Sequence, residues 1–305
     1  MKLWIELERL SQQLLCAQHV LAAALVPERA GEAHAEIAEL LDDEIVETPL
    51  AWRGHVMRGF QQAVAADWLG AQRSLDKARS GVPAAAAGTV DALETFLFGS
   101  VGRITAGFEQ VARRARDNPV SRDASRALQQ WLDRAGKHEQ AQAEYVRSRD
   151  LPGDRSETEL AALVRALGMG DQHGIAEQLL RYRETDWSRS GDDDLFVVRN
   201  DRNAALSLLR RQIEGFRSEG AIPPYLAAAW ASYYGDDELA VEGLRAHTES
   251  VFATAGVIWS PVFARTRRTP EFKRFLHDFG YVEYWRAHEW GDFCRPASGD
   301  DFECR

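Results

Sequence analysis

The sequence predicts an all-α protein of about six to seven helical hairpins closed by an aromatic C-terminal segment, and three observations carry that expectation. Glycine is scarce inside long stretches rich in Ala, Leu, Glu, Gln and Arg, and no alternating run of Val, Ile and Thr of useful length supports a strand. Small or compact residues recur at Ala71, Gly107, Ala141, Ile175, Ala205 and Ala240, at steps of 36, 34, 34, 30 and 35 residues. Four residues after each stands a bulky apolar one: Leu75, Val111, Tyr145, Leu179, Leu209 and Leu244.

Taken in order, residues 1–50 read as N-terminal helices, a degenerate hairpin or cap. "MKLWIELERL" places Glu6 and Glu8 ahead of the apolar "VLAAALVPER", so an amphipathic helix is expected there rather than a signal peptide. Residues 51–252 hold the hairpins. Five residues before each small anchor stand Ala66, Gly102, Gly136, Gly170, Asn200 and Gly235. Gly and Asn tolerate the left-handed conformation that ends a helix, so the first helix of each pair stops there and the second begins two or three residues on. Pro83, Pro119 and Pro152 fall where second helices end. Residues 253–305 form a capping segment and tail, in which Phe263, Phe272, Phe275, Leu276, Phe279, Tyr281, Tyr284 and Trp285 are too many large apolar groups for a solvated linker. They are expected to cover the last hairpin, with a ligand pocket as the alternative.

Several acidic and basic clusters invite a chemical reading. In "YYGDDELAVEGL" (233–244) Asp236 and Asp237 follow the terminating Gly235, where a carboxylate caps free backbone N–H groups and meets the positive end of the helix dipole. "AGKHEQAQAEY" (135–145) fills the same slot with Lys137 and His138, which argues against a metal site. "GDDDLF" (191–196) reads as a solvated turn with a helix cap, and "ARRARDNP" (112–119) as cations at a helix C-terminus, with an anion site as the rarer reading. His288 and Glu289 make one pair without further ligands, and no phosphate-binding loop, nucleophile elbow or zinc-binding His pair occurs. No catalytic residue, metal or cofactor is expected.

A formal charge of −10, with 45% hydrophobic and 28% charged residues, fits a folded protein that repels nucleic acid and anionic membrane on average. No apolar run reaches the roughly 20 residues that span a bilayer. The three cysteines, Cys16, Cys294 and Cys304, are too few for a disulfide framework and favour a reducing, cytoplasmic setting, while a bridge between Cys294 and Cys304 stays open.

The spacing of Gly, small residue, bulky residue and Pro in "DWLGAQRSLDKARSGVP", "AGKHEQAQAEYVRSRDLP" and "YYGDDELAVEGL" resembles the tetratricopeptide repeat over about two thirds of the chain. The small residue that the family carries three after the bulky one survives at Ala78 and Ser148 but is Arg114, Tyr182, Gln212 and His247 elsewhere. The resemblance implies a right-handed superhelix whose first helices line a concave groove. Its groove positions fall on Arg53, Phe60, Phe96, Arg126, Gln130, Arg134, Tyr225 and Tyr233, a mixture suited to a peptide with apolar anchors and acidic groups. "IWSPVFARTRRTPEFKRFLHDFGYVEYWRAHEWGDFCRP" (258–296) is similar to the segment that closes such arrays in bacterial regulators and signalling proteins. Together the resemblances imply a non-catalytic adaptor for a protein or peptide segment. A regulatory subunit that senses a small molecule or peptide is the alternative, and an enzyme with an unrecognised site comes third.

Overall fold

The computed structural model describes residues 51–216, 220–249, 256–299 and 301–305. The expected N-terminal helices of 1–50 and Cys16 lie outside them. The described chain is mostly helical. In order come α1 (Ala51–Val64), α2 (Trp68–Gly81), α3 (Ala87–Ser100), α4 (Ile104–Asp117), α5 (Arg122–Arg134) and α6 (His138–Ser148). They are followed by α7 (Ser156–Met169), α8 (Gln172–Arg183), α9 (Ser190–Val198), α10 (Arg202–Glu214), α11 (Pro224–Tyr234) and α12 (Asp237–Glu249). Three single 3₁₀ turns between Val257 and Arg268 lead to α13 (Pro270–Asp278), α14 (Tyr281–Ala287) and a hairpin of β1 (Cys294–Pro296) and β2 (Phe302–Cys304). That small antiparallel sheet departs from the strandless expectation.

The helix breaks follow the predicted glycines. Gly102, Gly136, Gly170 and Gly235 have φ of 77°, 74°, 65° and 88°. Ala66 takes the same left-handed turn at φ 59°, a conformation that an L side chain adopts at a cost of about 1–2 kcal/mol. Asn200 does not. There α9 runs out through Arg199 in right-handed geometry, and Asp201 restarts the chain by accepting from the N–H groups of Asn203 and Ala204. Asp67 and Ser121 cap α2 and α5 in the same way, satisfying donors that a helix start leaves free. The α2, α4 and α6 helices end at Gly81, Asp117 and Ser148, just ahead of the three prolines.

The six small anchors and their six bulky partners are all buried. Close approach is the reason for the small ones. A Cβ on Gly107 would lie 2.3 Å from the Trp131 ring, so α4 and α5 meet there with nothing between.

The chain divides into two compact units, the boundary falling between Leu97 and Phe98 within α3. In the first, α1 packs on α2, Gly59 lies against the Leu93 side chain, and Arg79 pairs with Glu94 at 2.7 Å. In the second, α4 to α12 pack in sequence order and the C-terminal segment joins them.

That segment makes contacts beyond the last hairpin. It does touch α12, since Arg245 pairs with Asp278 and lies over the rings of Phe275 and Phe279. Yet it also reaches the α3–α4 turn, where the indole N–H groups of Trp259 and Trp285 donate to the carbonyls of Ser100 and Val101 at 2.7 and 2.9 Å. Asp292 accepts from the N–H of Thr105, and its own N–H donates to the Gly102 carbonyl. Between these ends, the turn Pro261–Phe263 lies on α7 and α11, with Val262 against Gly168 and its carbonyl accepting from Ser232.

Cys294 and Cys304 are bonded, which settles the pairing that the sequence left open. They sit directly opposite each other in the β1–β2 register, so the hairpin holds them in reach.

Candidate functional site

Three of the eight predicted groove residues belong to the first unit. Arg53 is exposed and lies over the Trp52 ring, while Phe60 and Phe96 meet edge to face at 5.4 Å. The other five belong to the second.

Arg126, Gln130 and Arg134 stand at intervals of four on α5 and therefore share one face of it. Gln130 and Arg134 reach a cavity of about 40 Å³ together with Tyr225 from the first turn of α11, although the two helices lie far apart in sequence. Asp133, Ala161, Val164 and Arg165 complete the helical walls, and Val257, Ser260 and Pro261 of the C-terminal segment form the side facing them. Arg126, one turn earlier on α5, pairs with Glu157 of α7. Tyr233 goes elsewhere: its hydroxyl meets Gln172 and its ring stands edge-on to Trp230.

The cavity wall holds two guanidinium groups and one carboxylate. Arg165 bonds Asp133 at 3.2 Å and Gln142 at 2.6 Å, and His138 approaches the other oxygen of Asp133 at 3.3 Å. Burial pushes the Asp133 carboxyl up, against the opposing pull of Arg165. Burial also brings Arg134 down to about 10, which leaves it charged at neutral pH. Arg126 is lowered for the same reason. The Tyr225 hydroxyl is raised well above its ordinary range, chiefly by burial and then by Tyr182 and Asp192, so it is a neutral hydrogen-bonding group. Its ring lies 5.3 Å from His247, which burial alone lowers to about 4 and so keeps neutral.

Sequence reasoning missed Asp133, Arg165 and His247. A signal for the first two existed, because their separation of 32 residues is close to one repeat, and opposite charges at that spacing face each other across adjacent first helices. "GDDDLF" holds the expected cap and is solvated at Asp193 and Asp194, but not at Asp192. Asp192 accepts from the Arg189 N–H at 2.7 Å but is fully buried, because Gly191 ahead of it is pinned to the Gly220 carbonyl and Leu195 draws the first turn into the core.

The remaining candidates have structural partners. Asp236 caps α12 by accepting from Leu239, whereas Asp237 bonds Arg265 and Thr266 of the C-terminal segment. Glu289 pairs with Arg103, and the His288 ring lies beside Tyr284. Arg113, Arg114 and Arg116 are exposed near the end of α4. Among the described residues no group of three His, Cys, Asp or Glu side chains is placed to hold a metal, and no helix is long and apolar enough to cross a membrane.

No family model matches the sequence, and no curated protein or solved structure is significantly similar to it.

Proposed function

We propose that this chain is a non-catalytic, tetratricopeptide-type binding protein that receives an extended peptide on the strip formed by Arg126, Gln130, Arg134 and Tyr225. The observation carrying this reading is the convergence of Gln130, Arg134 and Tyr225 on one cavity whose facing side is itself a segment of chain, two 3₁₀ turns joined at the extended residue Ser260. That segment indicates the chemistry the strip accepts. It is apolar and carries a proline, and its turn lies on α7 and α11 with a carbonyl held by Ser232. The guanidinium groups of Arg126 and Arg134 add a preference for acidic residues beside the apolar ones. A cavity of about 40 Å³ has room for only a few waters, far below the roughly 300 Å³ and more of a small-molecule pocket, which favours a peptide lying across the strip over an enclosed small molecule.

The test uses a fluorescein-labelled peptide, Asp-Asp-Val-Ile-Trp-Ser-Pro-Val-Phe, titrated with the full chain in both its disulfide-bonded and its reduced form and followed by anisotropy. Saturable binding in at least one form, weakened about tenfold or more by Arg126→Gln, is the expected result. Absence of binding in both forms, or equal binding by the variant, overturns the proposal.

A further inference from the structure

Gln130, Arg134 and Tyr225 of the strip face the chain's own C-terminal segment, and the contacts that keep it there lead to the disulfide. Residues Cys294–Pro296 and Phe302–Cys304 make a hairpin of three residues a side, a size that is marginal without further support. The Cys294–Cys304 bond closes it, with the Arg295–Glu303 pair on its exposed face. Directly after Cys304, the Arg305 N–H donates to the Phe293 carbonyl, and the Arg305 carbonyl accepts from Nε of Arg267 at 2.8 Å. The same buried guanidinium lies over the Phe293 ring and donates through Nη1 to the carbonyls of Ile258 and Ser260 at 3.3 and 2.9 Å. Ser260 and its neighbours Val257 and Pro261 are the cavity's facing side. One buried cation thus ties the end of the hairpin to the segment that covers the strip. A buried guanidinium that loses an acceptor is costly, so freeing Arg305 loosens both ends of the tie.

We propose that the Cys294–Cys304 disulfide is a redox latch that holds residues 257–263 over the strip, and that its reduction by a dithiol opens the strip to a peptide. This rests on the binding function proposed above. In the reducing step a thiolate of the dithiol attacks the sulfur of Cys304, the more accessible of the two, and Cys294 leaves as a thiolate. The second thiol of the donor resolves the mixed disulfide. Two electrons and two protons pass to the protein, giving two cysteine thiols and one disulfide in the donor. Phe302 of β2 packs on His277 and Trp285 at 5.4 and 6.3 Å, but the contacts within α13 and α14, among them Phe272 with Phe275 and Tyr281 with Trp285, do not pass through the hairpin and hold these helices when it loosens.

Hydrogen exchange of the full chain at neutral pH, compared between the oxidised protein, the protein reduced with dithiothreitol and Cys304→Ser, reads the latch without any peptide. Amides of 257–263 are expected to exchange at least tenfold faster in the last two, while α11 changes less than twofold. Unchanged exchange at 257–263 overturns the latch, and so does a uniform acceleration across the second unit, which would make the bond a general staple. Arg267→Lys, with its disulfide intact by mass, is expected to loosen 257–263 as well; full protection there overturns the route through Arg267. With the labelled peptide described above, tighter binding by the reduced form, by about tenfold or more, supports the latch. Equal affinity in both forms overturns it and leaves the binding function standing, whereas faster exchange with no binding in either form keeps the latch and rejects that function.

Discussion

The hairpins and the C-terminal segment of the second unit solve the same packing problem with different chemistry. Along the hairpins, the buried anchors other than Tyr145 are small or aliphatic, as with Ala205 and Leu209, and helix starts such as that of α10 are satisfied by residues close in sequence. In the C-terminal segment the buried groups are aromatic and their polar ends reach far along the chain. Trp259 stacks on Phe293 at 5.2 Å and donates to Ser100, 159 residues away. The difference teaches where stability resides. Hairpin contacts are local and repeated, so losing one is confined to its neighbours. Those of the C-terminal segment are unique, and losing one uncouples distant parts.

The largest expected effect follows directly. Trp259→Ala removes a buried ring and leaves the Ser100 carbonyl without its donor, and truncations of buried Trp cost about 3–5 kcal/mol. Urea denaturation is expected to show a loss in that range, and hydrogen exchange to show lost protection both around Trp259 and at residues 100–105. Loss confined to the C-terminal segment would mean that it and the α3–α4 turn are not coupled.

Two glycines in the same slot of the repeat sharpen the comparison. Gly136 has φ 74° with nothing within 4 Å of an added Cβ, so Gly136→Ala carries only the left-handed penalty of about 1–2 kcal/mol. Gly102 has φ 77°, but its Cβ would lie 2.9 Å from the Trp259 ring, adding overpacking of about 1–3 kcal/mol. Denaturation midpoints are expected to place Gly102→Ala at least about 1 kcal/mol below Gly136→Ala. Equal losses would show that the ring moves aside freely.

These two glycines also mark how far the sequence was legible. Both were identified as helix-ending positions from spacing alone, because the left-handed requirement is a local backbone property that Gly announces. Ala66 was found from the same spacing despite its residue type. Nothing local announced that Trp259 would sit on Gly102, or that Arg267 would join Arg305 to Ser260, since aperiodic long-range contacts leave no pattern in the chain. The candidate site was half legible for the same reason. Gln130, Arg134 and Tyr225 came from the groove positions that the resemblance implies, but the segment facing them was read as a cap or, in the alternative, as a ligand pocket of its own. The Cys294–Cys304 bond stayed open because cysteine number is an argument about compartments that says nothing about two thiols brought face to face by a hairpin.

A smaller effect concerns buried charge within the hairpins. Burial pushes the Asp192 carboxyl up to about 6 from 3.8. The folded state therefore takes up this proton before the unfolded one as pH falls. The resulting stabilisation is complete below about pH 4 and is lost as pH rises through 6. Asp192→Asn cannot titrate yet keeps an oxygen for the Arg189 N–H. The stability of this variant relative to wild type is expected to rise between pH 4 and 6 by up to about 1.4 kcal/mol per pH unit. A difference independent of pH would mean that Asp192 is hydrated.

The smallest effects come from the adjacent acids Asp236 and Asp237, one serving each region. Asp236 caps α12 through the Leu239 N–H at 3.0 Å, a role Asn fills nearly as well, and its pairing with Arg210 at 3.4 Å is at the surface. Asp236→Asn is therefore expected to cost less than about 0.5 kcal/mol. Asp237 instead accepts from Thr266 at 2.7 Å and from Arg265 at 2.9 Å, tying α12 to the C-terminal segment. In Asp237→Asn the amide oxygen still meets Thr266, but the charge-assisted bond to Arg265 weakens, and a loss of about 1 kcal/mol is expected. Faster exchange at residues 265–269 in Asp237→Asn alone would confirm that the two neighbours belong to different regions. Calorimetry with calcium or magnesium provides the counter-test: tight binding by wild type that vanishes in the double Asn variant would make the pair a metal site and remove both assignments.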